Sequence, residues 1–151
     1  ERGKATVRYE GDYKAGKMNG HGTFHWTDGQ KYEGEFKDDQ LSGKGVVTAP
    51  NGSSYDGEWA NGVFDGHGVL VPGDGSKYDG DFKGGKFTGK GLQTNADGSK
   101  FEGNWLNGLP NGEGALITAK GDVYKGVWSN GCFTDGRVAA WYLRTAQDCK
   151  L

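Results

Sequence analysis

Three groups of side chains in this sequence have the types that chemistry requires, and spacing decides each case. Gly80-Asp81-Phe82-Lys83-Gly84-Gly85-Lys86-Phe87 matches a phosphate-binding loop until its last position. There Phe87 replaces the Ser or Thr hydroxyl that would hold magnesium, so the match is read as coincidence. The histidines could ligate a metal. His21 and His25 share a strand face but sit about 13 Å apart, and His21 and His67 are about 19 Å apart on the repeat frame described below. Zinc ligands lie about 2 Å from their ion, so these side chains cannot converge on one. Carboxylate pairs such as Glu33 with Glu35, or Asp79 with Asp81, could share acid/base work. They recur from unit to unit, which marks a surface pattern and not a single centre. No catalytic, cofactor-binding or metal-binding residue is assigned, and the expectation is a protein that is not an enzyme.

Cys132 and Cys149 are the only cysteines, too few for a zinc site by themselves. A chain segment folding back over the end of the molecule could bring them into bonding range. The bond would then contribute ~3 kcal/mol and would point to an exported protein, periplasmic or extracellular. Two free thiols are the alternative. Asn51-Gly52-Ser53 has the form of a glycosylation site, but a turn at that place explains the same residues.

The elements that carry these residues follow from the glycines. The 151 residues include 30 Gly, 19 aromatics and only 25 Leu, Ile, Val and Phe, so a thick conventional core is excluded. Eighteen Lys and Arg against twenty Asp and Glu leave a net charge of -2, with no basic excess to grip nucleic acid. The motif aromatic-x-Gly-x-aromatic begins at Tyr9, Tyr32, Tyr55, Tyr78, Phe101 and Tyr124, always 23 residues apart. Five positions on that frame hold 26 of the 30 glycines. Lys31-Tyr32-Glu33-Gly34-Glu35-Phe36-Lys37 alternates strictly, with aromatics and glycine on one face and charges on the other. Two strands per unit predict an all-β, elongated and twisted single-layer antiparallel sheet of consecutive β-hairpins, about twelve strands and ~55 Å long.

The runs Tyr32-Glu33-Gly34-Glu35-Phe36-Lys37 and Gly16-Lys17-Met18-Asn19-Gly20-His21-Gly22-Thr23-Phe24 resemble MORN repeats (membrane occupation and recognition nexus). The resemblance covers roughly residues 9 to 136, with departures at Asp39, Pro110 and Lys125 and in the sixth copy, where Asp135 and Arg137 replace glycines. It implies a scaffolding or tethering role, or an accessory binding module. The organisation expected is an N-terminal edge segment over 1–8, six repeats over 9–137, and a C-terminal cap over 138–151. The cap is expected to be helical because Val138, Trp141, Tyr142, Thr145 and Cys149 fall near one helical face; an extra strand is the alternative.

The ladder aromatics are expected chiefly to pack on one another across the intervening glycines, which leave room for the neighbouring ring. A single layer cannot bury both faces, so part of the ladder is expected to stay open as a groove for a protein partner. Its expected contact residues are Tyr32, Phe36, Tyr55, Trp59, Tyr78, Phe82, Phe101 and Trp105. Glycan binding on the same rings and anionic-lipid binding are the alternatives, and a homodimer through the aromatic face would cover the open surface. The charged face is expected to carry solvated cross-strand ion pairs.

Overall fold

A computed structural model describes residues 8–150. The N-terminal segment assigned to 1–8 lies outside the described residues except for Arg8. The strict alternation becomes a strand in every unit. Paired by repeat, these are β1 (Arg8–Lys14) with β2 (Lys17–His25), β3 (Lys31–Lys37) with β4 (Gln40–Thr48), and β5 (Ser54–Ala60) with β6 (Val63–Val71). There follow β7 (Lys77–Lys83) with β8 (Lys86–Thr94), β9 (Lys100–Leu106) with β10 (Leu109–Ile117), and then β11 (Val123–Trp128). All eleven pair antiparallel in sequence order in one open sheet.

Each hairpin closes through two residues in the left-handed region, such as Asn61 at φ 51° and Gly62 at φ 83°. Two positive φ angles match the twist of the flanking strands. The pairs Asp28-Gly29, Asn51-Gly52, Asp74-Gly75 and Asp97-Gly98 close their units, in the five-residue connections between repeats. In one of these Ala49 N–H donates to Ser53 O (3.0 Å), while Asn51 Oδ1 accepts from Ser53 N–H (2.9 Å).

The aromatic face owes its packing to a glycine pair in each repeat. Gly57 lies directly opposite Gly68, and the Tyr55 ring lies across them with its hydroxyl donating to Glu58 O at 2.9 Å. A methyl on Gly68 would meet Tyr55 Cζ at 2.5 Å, and one on Gly57 would meet the His67 carbonyl oxygen at 2.5 Å. The first residue's ring can therefore lie flat only where both neighbours lack a Cβ. Phe101 lies over Gly114 in the same way without a hydroxyl, so the ring and not its hydrogen bond is the common element.

Rings then lock across repeats. Tyr32 meets Phe36 of its own repeat edge-on (5.1 Å) and Trp59 of the next (5.4 Å), and Tyr55 meets Trp59 and Phe82 in the same way. Such pairs contribute ~0.5–1.5 kcal/mol beyond their buried area. Trp59 and Trp105 also donate their indole N–H back to Gly45 O (3.0 Å) and Gly91 O (3.1 Å) of the preceding repeat. The ladder thus forms a thin core.

Burial pushes the Tyr32 and Tyr55 hydroxyls up to about 12, and that of Tyr78 higher. An unfolded tyrosine ionises near ~10, so above that pH the unfolded state releases protons first and stability falls as pH climbs towards 12. In an absorbance titration near 295 nm, these phenols should resist ionisation until the chain unfolds. A single smooth transition near 10 in the folded protein would contradict this.

The sixth unit departs from the frame. Arg137 stands where its second strand would need the paired glycine, and β12 (Cys132–Thr134) leaves the main sheet to pair with β13 (Ala139–Trp141). The helical cap expected over 138–151 is therefore incorrect; strand and turns cover its described part, 138–150. Asp135 Oδ1 accepts from the Arg137 and Val138 N–H groups, closing the turn that returns the chain. Leu143 at φ 63° then interrupts any helix across this stretch. What remains of helical character is one turn, with Thr145 and Asp148 bonded reciprocally.

The structure bonds Cys132 to Cys149. The segment between them brings Tyr142 onto the aromatic face. In the third and fourth repeats an aromatic at the tenth position covers the first ring, as Phe64 stacks on Tyr55 (3.8 Å) and Phe87 on Tyr78 (3.7 Å). Pro110 occupies that position in the fifth repeat, and Tyr142 supplies the missing ring by stacking on Phe101 at 5.8 Å. Asn95 Nδ2 donates to its hydroxyl (2.6 Å), which itself donates to Gln93 Oε1.

Candidate functional site

The eight aromatics expected to line an open groove do not line one. Tyr32, Phe36, Tyr55, Trp59, Tyr78, Phe82, Phe101 and Trp105 are all at most 8% exposed. The reason is mutual cover: each ring fills the space that the glycine pairs open beneath its neighbour. That burial also removes the exposed surface from which a face-to-face homodimer was inferred. Among the described residues the ladder is open only at the N-terminal end, where Tyr13 is 62% exposed and has Tyr9 (5.1 Å) as its one ring neighbour.

The opposite face has the relief that the aromatic face lacks. Side chains in the mid-strand glycine column would point to the aromatic face, so only backbone lies between the two charged rows on this face, and that backbone forms the floor of a trough. Depressions of about 260, 420 and 340 Å³ follow one another along it from Lys44 to Lys125. The first two share His67 and the last two share Lys90 and Glu102, so they form one continuous feature.

Two rows of side chains wall the trough. The register places Glu33, Asp56, Asp79 and Glu102 on one wall, alternating with Val46, Val69, Leu92 and Ala115. On the other wall Glu35, Glu58, Asp81 and Asn104 alternate with His21, Lys44, His67 and Lys90. Glu10, Asp12, Glu113 and Lys125 extend the rows at the ends. The two rows carry ten carboxylates against three lysines, a formal -7 with histidine neutral, in a chain whose total is -2. Lysines such as Lys31, Lys37, Lys77 and Lys83 stand at the strand ends, so an acidic channel runs between basic margins.

The expected Lys–carboxylate pairs across strands do not form among the described residues. Instead the second wall's carboxylates serve the backbone. Asp12, Glu35 and Glu58 accept the N–H groups of His21 (3.2 Å), Lys44 (3.2 Å) and His67 (3.1 Å). Those amides lie in β-bulges, where Glu35, for example, faces the extra residues between Leu41 and Gly45. A bulge leaves a donor without a ladder partner, and the carboxylate supplies one. The ion pairs of this face involve histidine or arginine: His67 Nε2 lies 3.1 Å from Asp79 Oδ1 and its Nδ1 3.5 Å from Asp81 Oδ1. By contrast Glu33, Asp56 and Glu102 have neither ion pair nor side-chain hydrogen bond among the described residues.

Catalytic geometry is not what these residues make. Gly80–Phe87 is ordinary hairpin, with Gly84 and Gly85 at its turn. No grouping of three or more His, Cys, Asp or Glu among the described residues is placed to hold a metal ion. Sequence reasoning missed the trough, although a signal for it was present: strict alternation puts the second and fourth positions of each unit in two parallel rows on the charged face, with only backbone between them.

A family model described as MORN repeat matches residues 9–31, 32–54, 55–77, 78–100 and 101–123. The match ends before the sixth unit, the one whose second strand leaves the sheet. A search of the curated proteins returns no match.

Proposed function

This chain belongs to the MORN-repeat family, a family of generally non-enzymatic repeat modules, and from that premise we propose that it is a scaffold that holds a protein partner along its acidic trough. The observation that carries this reading is the contrast between the two faces. The aromatic face is closed by its own rings, whereas the trough is continuous, open and walled by alternating carboxylate and apolar side chains. Interaction surfaces on solenoid sheets extend over several repeats, and a trough shared by repeats two to five has that form.

A photo-crosslinking residue at Val69, midway along the trough, should give an adduct with a polypeptide partner in native extract. The same residue at Tyr13, exposed on the aromatic face, should not. Adducts from Tyr13 alone would return the function to the aromatic face. Val69 lies on the opposite face from the rings and Tyr13 ends the ladder against Tyr9, so neither substitution disturbs the rings from Tyr32 onward.

A further inference from the structure

The wall on which Glu33, Asp56 and Glu102 are unengaged among the described residues, and Asp79 meets His67, has a period, and the period constrains what can lie against it. Glu33, Asp56, Asp79 and Glu102 stand on every second strand, so at ~4.8 Å per strand they are ~9.6 Å apart. Val46, Val69 and Leu92 fill the intervals as half-buried apolar steps. The trough runs across the strands over the face of a sheet whose backbone groups are already paired within it. An occupant can draw no backbone ladder from it and must keep its own peptide groups solvated. A polyproline II segment does that, with three residues per turn and ~3.1 Å per residue. One residue in three then faces the wall every ~9.3 Å, close to the carboxylate period, whereas a β-strand presents a residue every ~6.8 Å and drifts out of phase.

Resting on the scaffold reading above, we propose that the partner segment is a polyproline II stretch carrying Arg or Lys at every third residue, each base meeting one carboxylate of the Glu33–Glu102 wall. The intervening residues pack on the apolar steps. Four bases at this spacing span ~28 Å, against ~29 Å for the four carboxylates. The basic margins of the trough add a requirement: the positive charges must lie along its midline, which a three-residue period provides and a clustered basic tract does not.

The probe is a fluorescent 12-residue peptide, Arg-Pro-Pro repeated four times, followed by anisotropy on the whole chain. Its isomer, four arginines followed by eight prolines, has the same composition and charge. The periodic peptide should bind about tenfold more tightly than the isomer, and the triple variant Glu33→Gln, Asp56→Asn, Glu102→Gln should weaken it by about tenfold. Those three side chains bond nothing else in the described structure, so the variant should fold; an unchanged thermal transition checks that it does. Equal binding of the isomer, indifference to the triple variant, or equal binding of Glu-Pro-Pro repeats would each overturn the proposal. If the peptide fails while Val69 still crosslinks a partner, the scaffold reading survives and this inference falls. Loss of the crosslink removes both.

Discussion

Gly57→Ala is expected to destabilise the chain by about 3 kcal/mol or more, although Gly57 does not occupy a left-handed conformation. Its added methyl would point at rigid neighbours, 2.5 Å from the His67 carbonyl oxygen and closer still to the Gly68 Cα. Relief requires two hydrogen-bonded strands to separate beneath Tyr55, which overpacks the thin core at its centre. Gly52 makes the comparison. It sits at φ 91° in open space, so Gly52→Ala meets only the backbone penalty of ~1–2 kcal/mol for a left-handed alanine. Urea denaturation of both variants should rank Gly57→Ala well below Gly52→Ala. The reverse ranking would show that backbone conformation, and not close approach, explains the glycine frame.

The second large effect concerns the C-terminal closure. With Cys132 and Cys149 both replaced by Ser, the loop of 17 residues is no longer constrained in the unfolded state, a loss of ~3 kcal/mol. If the chain melts as one unit, Tm should fall by about 6–12 °C. Because each repeat contacts mainly its neighbours, the cap should open before the rest. Tyr142 would then leave Phe101 and Trp105, and tryptophan emission should shift to the red ahead of the main transition. Reductant on the unmodified chain should reproduce both changes. An unchanged melt would mean that β12, β13 and the Tyr142 contacts hold the cap without the covalent link.

The repeat frame was legible because its causes are local. Alternation over seven residues sets a strand, two residues at positive φ set a hairpin, and a constant 23-residue spacing stacks the hairpins. The cap was not legible in the same way. Residues 138–149 have good helix formers, but Asp135 turns the chain, β12 captures Ala139–Trp141 and the disulfide ties the remainder, all interactions outside the segment. Pro110 shows the same limit: its cost to the ladder is visible in the sequence, but the compensating ring of Tyr142 comes from 32 residues further along.

The open face was misplaced for a related reason. Tyr55, Trp59 and their equivalents have the side chains that binding sites favour, and packing across the intervening glycines was legible, but not that it would leave none of these eight rings open. Paired glycines let each ring sink against the backbone, so the rings bury one another and the layer becomes its own core. On the other side the alternation leaves bare backbone between the two charged rows.

The face that binds can be identified in a single titration. In a proton–nitrogen correlation spectrum of the labelled chain, the Trp59 and Trp105 indole N–H signals report the aromatic face, since each donates to a carbonyl of the preceding repeat. The Gly57, Gly80 and Gly91 amides report the trough floor. With the Arg-Pro-Pro peptide added, the glycine amides of repeats two to five should shift while the two indole signals stay in place. Shifts confined to the indoles and the Tyr13 amide, with the glycines unmoved, would contradict the assignment of function to the trough.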